Sequence, residues 1–280
     1  MKIIKYLSLV LVVVLLASCT KNEVEYKTTP IANLAEFQLH YMVPVTSVST
    51  NNITKVEING QLYTNTKAPL TTYNAIPSGG VGRFFTVAPG NVNVKLYQGT
   101  DMATLVYDKN VTLTTGKKNI FVHDFTKDPV VFDNGFPYKG LLTEKTDSSA
   151  WVKFYNFLYE TAALGPTGLK LQYQYIDFRT QQMVNIGKPV AFGESTGWEL
   201  ITVVKDNLIS QGSRLMSFKI KTVDANGNII GDLQVMGTGG TYSVVTWTST
   251  LTIARRYHHI MSGYRAVASP NSSVRVFTAL

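Results

Sequence analysis

The chain has 280 residues, a formal net charge of +8 at pH 7, and only 16% charged residues beside 45% hydrophobic ones. Its single cysteine excludes a disulfide within the chain and any metal or redox site built from paired thiols. The positive charges are scattered instead of forming a stripe interleaved with aromatic rings, so the sequence does not predict binding to nucleic acid.

The N-terminus has the three parts of an export signal. Lysines near the start precede an apolar run over residues 7–16, and residues 16–19 read Leu-Ala-Ser-Cys. An apolar run this short is typical of a signal peptide and not of a membrane span. The last four residues resemble the lipobox of bacterial lipoproteins, in which the thiol is acylated. We therefore predict a signal peptide over residues 1–18 and lipidation of Cys19. An ordinary secretory signal with a chance cysteine is the alternative.

Residues 19–33 are polar, and we predict that they form a tether between the lipid and the folded part. Lys21, Glu23 and Glu25 resemble the surface-export signal of Bacteroidetes-type lipoproteins, with Asn22 interrupting the pattern. A plain solvated linker is the alternative. The expected location is the outer membrane, at the cell surface in preference to the periplasmic face.

Beyond the tether, apolar and polar residues alternate, as in a strand that buries one face. Residues 37–43 and 245–253 show this alternation, and Asn59-Gly60 supplies the positive φ angles of a tight hairpin turn. No amphipathic helix of ten or more residues is apparent. Short strands separated by turns predict an all-β fold of the sandwich or barrel type.

Asp, Pro, Gly, Lys, Thr and Ser are frequent between the two halves of the chain. We predict one β-sandwich domain over residues 34–130, a linker over 131–148, and a second β-sandwich domain over 149–280. Each half is large enough to bury a core of its own.

The order of strand starts and turns resembles an uncharacterised family of Ig-like β-sandwich domains, which occur in tandem in Bacteroidetes-type lipoproteins. This resemblance implies two tandem Ig-like antiparallel β-sandwich domains, and the family offers no catalytic residues. In the second half, residues 174–177 stand where the Asn-Gly hairpin is expected. The segments that carry the resemblance are Val56–Gly60, Ala88–Gly90, Thr115–Ile120, Val152–Asn156 and Ala254–Ile260.

The four histidines do not predict a metal site. His258 and His259 are neighbours on an expected strand, so their side chains point to opposite faces. His40 and His123 belong to the other half of the chain, and a zinc site needs three or four convergent ligands. We predict no metal and no cofactor, with the histidines at the surface or at the domain junction.

No set of catalytic residues stands out either. Ser195 lies between glycines in Gly-Glu-Ser-Thr-Gly, but the strand-to-helix turn of a nucleophile elbow is not expected around it, so we predict a loop. A glycosidase pair of Asp177 with Glu194 or Glu199 stays open, although nothing selects these acids. The segment 224–228 predicts a hairpin turn and not a calcium loop. The chain is therefore expected not to be an enzyme.

Trp198, in a loop-like segment, is the candidate for stacking on a ligand, and packing at the core or junction is the alternative. We predict a non-enzymatic, lipid-anchored envelope protein that binds a glycan, protein or matrix partner at the surface. A fimbrial or adhesin subunit and a carbohydrate-binding accessory of a glycan-uptake system are the alternatives. Ligand identity, oligomeric state and domain geometry stay open.

Overall fold

The computed structural model describes residues 33–78, 83–100, 104–134, 148–203, 212–224 and 226–279, which belong to one compact unit. The predicted signal peptide, Cys19 and nearly all of the tether lie outside these residues. The described regular structure is strand throughout, apart from a single 3-10 turn at Ser49–Asn51. The predicted all-β class is confirmed.

Strands of the first half form two facing sheets. One has the order β4-β1-β8-β9, with β5 also paired to β1, and the other has the order β3-β2-β6-β7. Alternate residues of both sheets fill the core between them, including Phe37, Leu39, Val56, Val94 and Ile120. The strands are β1 (Ala35–Tyr41), β2 (Ile53–Ile58), β3 (Gln61–Leu62), β4 (Asn74–Ile76), β5 (Phe85–Val87), β6 (Gly90–Gln98), β7 (Thr104–Leu113), β8 (Gly116–Val122) and β9 (Val130–Asp133).

The predicted Asn-Gly hairpin is present between β2 and β3. Asn59 and Gly60 have φ angles of 49° and 81°, as a type I′ turn requires at both central positions. Glu57 pairs with Leu62 and Ile58 with Gln61 across the turn. The turn therefore fixes the register of this strand pair.

Strands of the second half repeat the arrangement. One sheet has the order β11-β10-β20-β21 with β14 on β10, and the other has β13-β12-β15-β16 with β19 on β15. Phe154, Leu171, Tyr173 and Ile220 lie in the core between them. The strands are β10 (Ser149–Thr161), β11 (Gly165–Pro166), β12 (Lys170–Ile176), β13 (Met183–Val190), β14 (Glu199–Thr202), β15 (Ser213–Val223), β16 (Ile229–Asp232), β17 (Gln234–Met236), β18 (Tyr242–Val244), β19 (Thr246–Thr252), β20 (Arg256–Tyr264) and β21 (Ser273–Ala279).

Each half places its first strand in parallel beside its second-to-last strand. In the first half β1 runs parallel to β8, and in the second half β10 runs parallel to β20. Every other named strand pair is antiparallel among the described residues. This shared exception shows that the two halves repeat one topology.

The β1/β8 sheet and the β10/β20 sheet pack against each other through their outer faces. We call this contact the junction, and its buried apolar residues are Met42, Tyr73, Ala75, Phe121, Tyr155, Phe157, Ile260 and Phe277. Strand β9 extends the first sheet to Asp133, and residues 135–147 of the predicted linker lie outside the described residues. The predicted domain limits stay a prediction.

Candidate functional site at the junction

Strands at the junction are buried on both faces, so their polar residues lie inside the protein and not at its surface. In β1, Phe37, Leu39 and Tyr41 point into the first core, while Gln38 and His40 occupy the other face and are also buried. Residues alternate between the two faces of a strand, so a polar residue between apolar neighbours normally faces water. Here the second half covers those positions, and their polar groups need partners inside the protein.

His40 begins a buried chain of hydrogen bonds. Its Nε2 donates to Oδ1 of Asn119 at 3.2 Å, and Nδ2 of Asn119 donates to Oδ1 of Asn134 at 3.3 Å. The imidazole stacks on Phe121 with ring centroids 4.4 Å apart, and the ring of Phe277 meets it edge-on at 5.2 Å. Burial lowers the pKa of His40 to about 4, against the raising effect of the Asn119 bond. The ring is therefore neutral at neutral pH.

His258 faces the same junction from β20. The Tyr155 hydroxyl and Nδ1 of His258 share a hydrogen bond of 2.8 Å, and the centroids of the His258 and His40 rings lie 6.3 Å apart. Burial holds the pKa of His258 well below its usual value, and the positive charge of Lys153 acts in the same direction. Two neutral imidazoles therefore face each other across the junction.

His259 points away from the junction into the second core, as the predicted opposite facing of the two neighbours requires. Nε1 of Trp247 donates to Nδ1 of His259 at 3.2 Å, and burial lowers the pKa of His259 to about 3. All four histidines are buried. His40, His123 and His258 lie at the junction, which is one of the two expected positions, whereas His259 lies in the second core. Within the described ranges, no group of three or more His, Cys, Asp or Glu residues could hold a metal ion.

Lys153 is buried at the end of the junction where β10 begins. Its Nζ donates to the carbonyl oxygen of Asp133 at 3.2 Å. The rings of Phe132, Tyr155 and Trp198 surround the ammonium, with centroids 5.4 to 5.9 Å away. Burial lowers the pKa of Lys153 to about 8, and the Asp133 charge offsets part of this shift. The aromatic faces partly replace the water that this cation has lost.

Trp198 lies beside Lys153 and closes the same end of the junction. It is half-buried in an irregular segment before β14, as the sequence predicts. Its Nε1 donates to the carbonyl oxygen of Asn134, and its ring centroid lies 5.0 Å from that of His258. The indole thus joins the two halves. Its predicted role in stacking on a ligand stays a prediction.

The opposite end of the junction opens into a cleft of about 480 Å³. We call it the junction cleft. One wall is formed by residues 43–45 and 123–127 of the first half, and the other by Tyr159, residues 162–166 and Tyr264 of the second half. Leu164, at the tip of the β10–β11 hairpin, is 72% exposed. Clefts of this size between packed units are common positions for ligand sites.

Polar groups in the junction cleft are held in fixed orientations. The Tyr159 hydroxyl and Nδ1 of His123 share a hydrogen bond of 2.7 Å, and Oδ1 of Asp124 accepts bonds from the backbone N and the Oγ1 of Thr126, both at 2.8 Å. Burial lowers the pKa of His123, which the Asp124 charge opposes. Burial and the Asp124 charge both raise the pKa of Tyr159 and of Tyr264. Imidazole and phenols are therefore uncharged at neutral pH.

No local pattern in the sequence predicts the junction cleft. Its first wall comes from the chain directly after β1 and directly after β8, and its second from the β10–β11 hairpin and the end of β20. The parallel pairing of β1 with β8 brings the first two segments to one edge. The available signal was the run His123-Asp124-Phe125 immediately after a strand, where a turn exposes polar side chains.

Two of the acids considered for catalysis, Asp177 and Glu194, bond within local turns. Oδ1 of Asp177 accepts from the backbone N of residues 179 and 180, and Oε2 of Glu194 accepts from that of Ala191. Burial raises the pKa of Glu199. Ser195 forms an isolated bridge with Tyr155 and is followed by strand β14, so the predicted loop is present. Oδ1 of Asp224 accepts bonds from the backbone N of Asn226 and Asn228, as in a hairpin turn.

Comparisons with known proteins add little. No protein-family model and no curated protein matches the chain. Among solved structures, the Bacillus anthracis TIE protein is 10% identical, with a TM-score of 0.20 over 83% of this chain and 34% of its own. A presumed cell adhesion protein from Bacteroides uniformis is 8% identical, with a TM-score of 0.20 over 88% and 98% of the two chains. This chain thus spans about a third of the Bacillus protein. At these scores neither likeness supports a functional argument.

In the part of the chain that the structure describes, no helix is both long enough and apolar enough to cross a bilayer.

Proposed function

We propose that this chain is a non-enzymatic, lipid-anchored protein of the outer membrane that binds a surface partner in the junction cleft. The observation that carries the proposal is the cleft itself. It lies where two packed halves meet, it is lined by apolar and aromatic side chains, and it holds a few oriented polar groups. Such a combination is characteristic of binding sites.

The anchor rests on the sequence around Cys19. A signal-like segment ending in Leu-Ala-Ser-Cys supports acylation of the thiol, and several acyl chains together give persistent membrane attachment. The polar tether supports a folded part that is free to meet its partner. The order of acidic residues in that tether supports a position of the protein on the outer face of the membrane.

Location is tested by protease treatment of intact producing cells. Digestion without lysis supports the surface position, whereas protection until lysis would place the folded part in the periplasm. A Cys19→Ala variant should leave the membrane fraction and appear in a soluble one. A variant that stays with the membrane would overturn the lipid anchor.

Binding is tested with cells that carry the full-length protein and are layered on immobilised surface material from the same organism. A Leu164→Glu variant places a charge at the mouth of the junction cleft and should reduce attachment. Leu215→Glu is the matched control, because Leu215 is also a largely exposed leucine (63%), on β15. Equal attachment by both variants and the unmodified chain would exclude the cleft as the binding site.

A further inference from the structure

The walls of the junction cleft do not suit an added peptide strand. A strand that extends a sheet needs a row of free backbone N–H and C=O groups at the edge it joins. Pro44 stands in one wall and Pro166 in the other, and proline has no backbone N–H. Recognition in this cleft therefore depends on side chains, which fits a compact ligand better than an extended chain.

The charges in the cleft nearly balance. Asp124 supplies a carboxylate and Lys127 an ammonium, while the imidazole of His123 is buried and neutral. A strongly acidic or basic ligand would leave one of these charges opposed by its own sign. A neutral ligand with both donors and acceptors, in contrast, can bond to the carboxylate, the imidazole and the phenol hydroxyls together.

Apolar surface stands next to these polar groups. Tyr264 is half-buried in the second wall, and its ring lies 6.1 Å from that of Tyr159 in an edge-to-face arrangement. Leu164 lines the same wall at the hairpin tip and is largely exposed. A pyranose ring has an apolar face of C–H groups and an edge of hydroxyls. Such a ring can pack on an aromatic face while its hydroxyls reach a carboxylate nearby.

We propose that the junction cleft binds a neutral saccharide, with Tyr264 and Leu164 packing on the sugar and Asp124 and His123 bonding to its hydroxyls. This proposal rests on the proposed function, since it names the ligand class of the same cleft. It also moves the sugar-stacking role from Trp198, whose indole bonds to Asn134 at the other end of the junction, to Tyr264.

The test is isothermal titration calorimetry on the full-length lipoprotein in a detergent without a sugar headgroup. The probes are neutral hexasaccharides of glucose, mannose, galactose and N-acetylglucosamine, with hexagalacturonate as the acidic comparison. At least one neutral probe should bind, and Tyr264→Ala should weaken that binding by about 10-fold or more. Asp124→Asn should weaken it as well, because the amide accepts fewer hydroxyl bonds than the carboxylate.

Controls separate binding from folding. Tyr242→Ala removes an exposed tyrosine of β18 and should leave the affinity unchanged. Leu164→Glu changes a side chain that is largely in solvent, so it tests the cleft even if Tyr264→Ala fails to fold. Binding of hexagalacturonate alone, binding of no probe, or equal binding by the cleft variants and the unmodified chain would overturn the proposal.

The cell-attachment assay distinguishes a failure of the saccharide proposal from a failure of the proposed function. If Leu164→Glu reduces attachment while no saccharide binds, the cleft is a binding site for another kind of ligand, and only the saccharide proposal falls. If Leu164→Glu changes neither attachment nor saccharide binding, the proposed function falls with it.

Discussion

Phe121 of β8 and Phe157 of β10 stack across the junction, with ring centroids 4.9 Å apart and ring planes inclined by 24°. Both side chains are fully buried, and each belongs to a different half of the chain. Since neither ring is covered unless both halves are folded, the two halves should stabilise each other and unfold together.

Phe121→Ala should uncouple the two halves. Truncating a buried phenylalanine to alanine lowers the free energy of unfolding by roughly 3–5 kcal/mol. Because the Phe121 ring packs at the junction, much of this loss weakens the contact between the halves. All three tryptophans lie in the second half, so tryptophan fluorescence reports on that half while far-UV circular dichroism reports on both. In urea the two signals should coincide for the unmodified chain and separate for Phe121→Ala. Phe178→Ala, at a position 41% exposed, is the control. Coincident transitions in Phe121→Ala would contradict the coupling.

Stability should fall as the pH drops from about 6.5 toward 4. The pKa of His40 is lowered from 6.5 to about 4, so the unfolded chain takes up its proton before the folded chain does. The contribution of neutral His40 to the free energy of unfolding is fully present above pH 6.5, and it is lost as the pH falls from 6.5 to about 4. Each pKa unit corresponds to about 1.4 kcal/mol, so His40 alone should account for about 3 kcal/mol between pH 7 and pH 4.

His40→Gln tests how much His40 contributes to the pH dependence of the free energy of unfolding. Glutamine retains a donor for Asn119 but does not titrate, so urea unfolding at pH 7 and pH 4 should show a smaller difference than in the unmodified chain. His258 and His259 should still contribute, because burial also lowers the pKa of each. An unchanged pH dependence in His40→Gln would show that His40 is not buried as a neutral ring.

Asn119→Leu should destabilise the chain at every pH. Leucine has a similar volume but leaves His40 Nε2 and Asn134 Oδ1 without the partners that Asn119 supplies. Each of the two unpaired buried groups costs about 1–3 kcal/mol, so the free energy of unfolding should drop by roughly 2–6 kcal/mol. The pKa of His40 should also fall further, because the Asn119 bond raises it. Asn91→Leu, at an exposed position of β6, is the comparison, and an equal loss of stability in both variants would argue against the buried hydrogen bonds of Asn119.

Gly263→Ala should disrupt the pairing of β20. At Gly263, where φ is +102°, a Cβ would lie 2.7 Å from Cα of Ser272 and 2.8 Å from the carbonyl oxygen of Asn271. Both the backbone angle and the contact with main-chain atoms oppose a side chain, so the loss should be about 3 kcal/mol or more. Gly168→Ala, with open space around the added carbon, should stay within about 0.5 kcal/mol in the same urea titration. Similar midpoints for the two variants would contradict this account.

The sequence predicts the cores better than it predicts the junction. Phe37, Leu39 and Tyr41 alternate as one face of a strand, and the structure places that face in the first core. The intervening Gln38 and His40 resemble solvent-facing residues, because local periodicity carries no information about a second sheet that covers them. The burial of His40 depends on the docking of β20 and β21, which follow much later in the chain.

The surroundings of individual residues near the site are also not predictable from local sequence patterns. The segment around Trp198 was predicted as a loop, and it is one. The position of its indole beside His258 depends on the parallel register of β10 and β20, which no local pattern in the sequence states. The junction cleft likewise forms only where four separate segments meet.

The shared topology of the two halves has a consequence for biogenesis. The first half leaves the ribosome with the aromatic face of β8 and β9 complete, yet the rings that cover Phe121 and His40 come from β10 and from the last strand, β21. Until synthesis ends, this apolar surface is exposed and prone to association with other chains. Protection of the nascent first half by a holding chaperone would therefore matter for yield, and a chain truncated after β9 would expose an apolar face that the complete protein covers.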